Sequence, residues 1–240
     1  MDAQRPVDGK KYSEPPAIFE RRDGFFVLKR NDGIDYWQIY ERFRRNISQT
    51  KTMIAKKRGK TSRYTEMGKT YVVKEFTMGT PFPNCRLAGR MGLSANIAIM
   101  RKVNAAVDAG CRVTQDFFMV AEKNISLFRK QVVLILEYLE GHTPVDEDEF
   151  KRYEGMTGRV FTELHRHRLT LSDFSLGNFI VDGTSLRVID LSCRFPFFLN
   201  KVKDCIKLRE LYGIKIEISG WFDRLIQAAL ILRNKVRDHG

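Results

Sequence analysis

The chain has 240 residues, 43% of them hydrophobic and 30% charged, with a formal net charge of +13. That length and apolar share suit one large domain or two lobes around a cleft, and they exclude a wholly disordered chain. No run of about 18 apolar residues reads as a spanning helix, and the surplus of cations suits nucleic acid, anionic lipid or another acidic partner.

The opening MDAQRPVDGKKYSEPP lacks the apolar core of a signal peptide, and residues 1–17 read as a polar leader. GFFVLKRNDG then predicts a strand ending in a turn at Asn31–Gly33, and YWQIYERF predicts a short helix. KTMIAKK, TSRYTEM and KTYVVKEF are three strand candidates separated by Gly59 and Gly68. PFPN at 81–84 breaks that pattern. Leu93, Ile97, Met100, Val103 and Val107 next share one face of a helix expected within 86–109. DFFMVAE and QVVLILEYLEG read as two further strands. Polarity changes abruptly in EYLEGHTP, which places a boundary between an N-terminal lobe (18–141) and a C-terminal lobe (142–240).

Beyond that boundary DEDEF sets acids in the first turn of a helix, where they complement the helix dipole. Phe150, Tyr153, Met156, Val160, Phe161 and Leu164 follow at helical spacing. Residues 171–192 interrupt with short β-type segments. The remainder, notably WFDRLIQAALILRNKV, is amphipathic helix whose AALIL run points to core burial rather than to lipid. The sum is an α+β, two-lobed architecture with a β-rich first lobe, one long helix and a mainly helical second lobe. Cys85, Cys111, Cys193 and Cys205 form no CxxC pair, which argues against a zinc or disulfide framework and for a reducing compartment.

The chemistry concentrates in LSDFSLGNFIVDGTSLRVIDLS (171–192). FIV (179–181) and LRVI (186–189) pair as a hairpin turned by Asp182-Gly183-Thr184, which sets Asn178 beside Asp190. An amide oxygen and a carboxylate at one point suit Mg²⁺. Asp173, one loop earlier, is placed to accept a proton from a hydroxyl. Singly, each of these residues reads as well as a turn or cap; as an ordered set they match the metal ligands and base of phosphoryl transfer from ATP. Lys74, on the strand TYVVKEF, is the candidate to reach the phosphates, and main-chain groups of Glu137, Tyr138 and Leu139 are candidates for the adenine edge. His165 and His167 lie two apart with no completing Cys/His set, so packing or solvent is expected of them rather than zinc.

With GKTYVVKEF, DFFMVAEKN, VVLILEYLEG, GNFIVDG and LRVIDLS in this order, residues 18–215 resemble the lipopolysaccharide core heptose(II) kinases. The resemblance implies a protein-kinase-like fold that uses ATP and Mg²⁺ to phosphorylate an inner-core heptose, on the cytoplasmic side of the inner membrane. By motif position it assigns Asp173 as catalytic base, Lys74 to phosphate, and Asn178 and Asp190 to magnesium. An anionic membrane surface also fits the charge. KKRGK (56–60) and the group Lys201, Lys203, Lys207 and Arg209 are two candidate patches.

The chain departs from protein kinases in three places. LSD stands where HRD is usual, DLS where DFG is usual, and no acid lies between Glu75 and Asp108 to pair with Lys74 unless Glu122 or another acid replaces it. Besides a kinase for another sugar or small molecule, two other classes remain open on sequence. A catalytically silent kinase-like binding protein is separated by Mg²⁺-dependent ATP hydrolysis. A nucleic-acid-binding module ranks last, because no recognition motif accompanies the charge, and no nucleic acid is expected as partner.

Overall fold

The computed structural model describes residues 17–46, 51–56, 59–79, 94–126, 129–171, 173–192, 196–216 and 220–238. Strands β1 (Ile18–Arg22) and β2 (Phe25–Lys29) precede helix α1 (Tyr36–Arg45). Strands β3 (Lys51–Lys56), β4 (Gly59–Glu66) and β5 (Lys69–Gly79) follow, then helix α2 (Ala95–Asp108) and strands β6 (Phe117–Ser126) and β7 (Arg129–Glu137). They join in one seven-stranded sheet of order β1-β2-β6-β7-β5-β4-β3. Every pairing in it is antiparallel.

Both sheet faces are covered, which explains why β7 carries an unbroken apolar run instead of alternating. On one face α1 lays Tyr36, Trp37, Tyr40 and Phe43 against Val73, Val133 and Ile135. On the other, α2 lays Ile97, Met100, Val103 and Val107 against Val72, Leu134 and Leu136. The expected apolar face of α2 is therefore the buried one, apart from Leu93, which lies outside the described residues. The helix begins at Ala95 because the Ser94 hydroxyl accepts from Ile97 N at 3.2 Å and caps it. The strand expected from residue 24 is β2. Strand β1 was not anticipated: IFERR has little apolar alternation, its residues are mostly exposed, and among the described residues it pairs only with β2.

After β7 the chain turns helical. The helix expected from residue 146 divides into α3 (Glu147–Lys151), capped by Asp146, and α4 (Glu154–Arg166). Short strands β8 (Thr170–Leu171), β9 (Phe179–Asp182), β10 (Ser185–Val188) and β11 (Leu191–Ser192) follow, and then α5 (Phe197–Tyr212) and α6 (Trp221–Asp238). The expected hairpin is present: β9 pairs with β10 from Asp182–Ser185 to Phe179–Val188. An aromatic cluster holds this half, with the Phe150 ring 4.4 Å from Phe179 and 4.8 Å from Tyr212. The fold is thus α+β, as expected. Helix α6 meets the expectation of burial on one face only. Ile226 and Leu230 pack on Val202, Cys205 and Ile206 of α5, while Trp221 and Leu225 are 75% and 58% exposed.

Candidate functional site

A cleft of about 750 Å³ opens between strands β3–β5, the 137–143 connection and the β9–β10 hairpin. Its roof carries Met53, Ile54 and Val72, and its floor carries Ile180 and Ile189. The connection is fastened to the floor by two main-chain hydrogen bonds, His142 N to Val181 O (3.0 Å) and Val181 N to His142 O (2.8 Å). Such a close approach needs Gly141, which sits at φ +124° against Val181.

Lys74 lies on central strand β5, between Thr61 of β4 and Leu134 of β7. Its Nζ donates to Asp190 Oδ1 at 2.7 Å. Lys74 thus has an acidic partner, although not the one sought in sequence. Glu122 is 5% exposed and engaged elsewhere: Lys130 donates to it at 2.9 Å, Ser94 at 2.9 Å and Asn96 at 2.6 Å. That buried network ties the start of α2 to β6 and β7, and it leaves Lys74 to reach across the cleft.

Two short pairings bring the acids together. Leu171 of β8 pairs antiparallel with Leu191 of β11, so Asp173 and Asp190 leave the same end of that ribbon. Ile189 N donates to Asn178 O at 3.0 Å, continuing the hairpin register, so Asn178 stands beside Asp190 as the spacing anticipated. Asn178 is 8% exposed, and its Nδ2 donates to the Asp173 main-chain oxygen at 3.1 Å. That bond commits the amide nitrogen and leaves the oxygen of the same group as a hard donor. Asp190 has φ +59°, a conformation that costs a non-glycine residue energy and recurs at functional sites. Asp173 is exposed, and its main-chain oxygen faces Asn178.

The loop of Asp173 is anchored from below by Asp204 of α5, which sequence reading missed. Asp204 is 3% exposed and accepts from His165 Nε2 at 3.1 Å and from Leu171 N at 3.4 Å. Burial pushes its carboxyl above the usual range, and the His165 bond opposes that rise. One signal was readable: an acid between the apolar positions Val202, Cys205, Ile206 and Leu208 needs a buried partner. The Tyr212 hydroxyl donates to Phe174 O and clamps the next residue.

At the rear of the cleft Glu137 is a structural joint. Its N–H donates to Asp116 O at 2.9 Å, its carbonyl accepts from Gln115 Nε2 at 3.2 Å, and its carboxylate takes Arg187 at 2.7 and 3.2 Å. Tyr138 is covered by Arg63, whose guanidinium stands 4.3 Å from the ring centre. Among the described residues the main-chain N–H and C=O of Leu139 make no hydrogen bond, and Leu139 lines the cleft.

The histidines go to different partners, as their spacing implied. His165 meets Asp204, and His167 Nε2 lies 3.2 Å from Glu163. A completing set that sequence did not show is nevertheless present near His167: ligand atoms of Cys111, Glu163 and His167 lie within 4.8 Å of one another. Glu163 already takes Arg166 at 2.8 Å there. Of the basic patches, Lys60 lines the cleft, residues 57–58 and the Lys56 side chain lie outside the described residues, and Lys201 pairs with Asp223 at 2.7 Å.

The family model described as lipopolysaccharide core biosynthesis protein (WaaY) matches residues 20–239, which includes the sheet, the cleft and the helical half. The chain belongs to the WaaY family. A curated family relative, the lipopolysaccharide core heptose(II) kinase WaaY of Escherichia coli strain K12, is 30% identical over 132 residues, 54% of this chain and 54% of that protein. A second heptose(II) kinase WaaY from Escherichia coli is 27% identical over 135 residues, 54% of this chain and 55% of that protein. The chain therefore spans about half the length of the curated WaaY relatives it matches.

Proposed function

We propose that the protein is an ATP- and Mg²⁺-dependent kinase that phosphorylates a heptose of the lipopolysaccharide inner core. The observation that carries this reading is that Lys74, Asn178 and Asp190 line one cleft, with Lys74 brought 116 positions along the chain to Asp190 and the Asp173 main chain bonded to Asn178. Membership in the WaaY family supports the choice of acceptor.

In this reading the fold is protein-kinase-like. Residues 18–141 form the nucleotide-binding lobe and residues 142–240 the catalytic lobe, hinged at Tyr138–Gly141, behind a leader at 1–17. Adenine lies between Met53, Ile54 and Val72 above and Ile180 and Ile189 below. Because both main-chain groups of Glu137 are already bonded, its neighbours Tyr138 and Leu139 meet the adenine edge, and Glu137 holds the hinge through Arg187. Lys74 leaves or shares Asp190 to bind the phosphates. Asn178 and Asp190 fit Mg²⁺, since an oriented amide oxygen and a carboxylate are hard donors. The ion supplies neutralisation of phosphate charge.

Asp173 orients the acceptor hydroxyl and takes its proton as the oxygen bonds to the γ-phosphorus and the bond to the β-phosphate oxygen breaks, releasing ADP. Asp204 is a positioning residue for that loop. The acceptor places the enzyme at the cytoplasmic face of the inner membrane as a peripheral protein. The test is ATP turnover with Mg²⁺, with and without inner-core lipopolysaccharide lacking the heptose phosphate, beside Asp173→Asn. Acceptor-dependent transfer that vanishes in the variant is expected; acceptor-independent or absent transfer by a folded protein refutes the assignment and favours a silent binding protein.

A further inference from the structure

Helices α5 and α6 present surfaces that the kinase chemistry does not use. On α5 the exposed residues Lys203, Lys207 and Leu211 recur every fourth position and form one stripe. On α6 Trp221, Arg224, Leu225 and Ala228 fall at i, i+3, i+4 and i+7, and all four are exposed. Trp221 is 75%, Leu225 58% and Leu211 47% exposed. The helices are locked together by Ile226 and Leu230 on Val202, Cys205 and Ile206, and by the Lys201–Asp223 pair at 2.7 Å. Among the described residues from 197 to 230, the exposed charges are Lys203, Lys207, Arg209, Lys215 and Arg224 against Glu210 alone.

Apolar residues with a tryptophan, flanked by cations, are the composition of a surface that lies in a bilayer interface. No helix among the described residues is long and apolar enough to cross a membrane, so the match is to lying on one. A second copy of the chain fits poorly: a two-fold contact through this face sets one cationic surface against another. The face also has a fixed relation to the site. Lys207 Nζ stands 5.2 Å from the centre of the Phe174 ring, and Phe174 follows Asp173.

We infer that the α5–α6 face docks on an anionic lipid bilayer, with Trp221 and Leu225 in the interface and the lysines among the headgroups. The docked face holds the loop of Asp173 beside the membrane surface. This deepens the proposed function, on which its purpose rests, because a lipid-linked sugar is then delivered to Asp173 by the surface it is anchored in. Each exposed basic residue strengthens the docking about fivefold, the equivalent of about 1 kcal/mol per charge near an anionic surface.

The chain has two tryptophans, and Trp37 is 3% exposed, so a change in emission on docking reports Trp221. Full-length protein is mixed with vesicles of phosphatidylglycerol and phosphatidylcholine, or of phosphatidylcholine alone, without ATP or acceptor. A blue shift and co-sedimentation with the anionic vesicles only, weakened by salt, are expected. Binding by a Leu225→Ser variant, and co-sedimentation of a Trp221→Ser/Leu225→Ser variant, should fall about tenfold or more with unchanged melting temperature. Lys203→Glu should weaken binding further than Lys203→Gln. Equal binding to neutral vesicles, no shift with anionic ones, undiminished binding by the double variant, or a concentration-dependent shift without vesicles would overturn the inference. Vesicle binding needs no turnover, so docking without kinase activity refutes the proposed function alone, and kinase activity without docking refutes this inference alone.

Discussion

Gly141 offers the sharpest test of how the cleft is built. In Gly141→Ala the new Cβ would stand 2.9 Å from the Val181 carbonyl carbon and nearer still to its oxygen, at a φ of +124° that L residues rarely adopt. The backbone strain costs about 1–3 kcal/mol. Relief by separation costs instead the two His142–Val181 hydrogen bonds of 3.0 and 2.8 Å, each about 0.5–1.5 kcal/mol. Either route predicts a loss of about 1–3 kcal/mol, a fall of roughly 2–12 °C in melting temperature for a domain of this size. Val181 lies on β9, which starts next to Asn178, so separation is expected also to shift the proposed cation site and weaken nucleotide binding. Gly158→Ala is the control. Nothing lies within 4 Å of its Cβ, it is inside α4, and alanine there should stabilise by up to about 1 kcal/mol. Thermal unfolding followed by circular dichroism, with titration of a fluorescent ATP analogue, reads both effects. A Gly141→Ala protein as stable as wild type, with unchanged nucleotide affinity, would show that the connection is not pressed on β9.

Asp173→Asn should lower turnover by about 10²–10⁴-fold, with unchanged melting temperature because Asp173 is exposed; wild-type turnover would remove it from the role of base. Asp204→Ala leaves His165 and Leu171 N without their acceptor, so stability should drop by about 1–3 kcal/mol. In that variant kcat should fall while ATP affinity holds, and an unchanged kcat would separate Asp204 from the loop of Asp173. Burial pushes the Cys205 thiol up to about 11. At pH 8 only about a thousandth of it is thiolate, the reactive form. In a Cys85→Ser/Cys193→Ser background, iodoacetamide should label Cys205 and the buried Cys111 only on unfolding, which mass spectrometry would follow. Rapid labelling of folded protein would contradict the packing of α6 on α5.

Periodicity made most elements legible. The β9–β10 hairpin was readable because the Asp182-Gly183-Thr184 turn sets a register, and Asn178 and Asp190 come together as a local consequence. The helix face of Ile97, Met100, Val103 and Val107 was readable because burial selects it residue by residue. Strand β1 was not, since its main-chain pairing with β2 leaves little trace in side chains. The break between α3 and α4 was hidden because Phe150, Val160, Phe161 and Leu164 face one core on both sides of it.

By itself, then, the sequence determined most of the strands and helices and the polar residues that flank the β9–β10 hairpin, since turn chemistry and apolar spacing are local properties. Only the tertiary structure decided the partners. Lys74 pairs with Asp190 across 116 positions, Glu122 closes on Lys130 instead, and Asp204 reaches under the loop of Asp173 to His165. The outward turn of Trp221 and Leu225 was settled at the same level, because α5 takes Ile226 and Leu230 of α6 and leaves Trp221 and Leu225 to solvent. Ion pairs and exposed faces depend on how the sheet and the helical half meet, and no spacing along one chain encodes that distance.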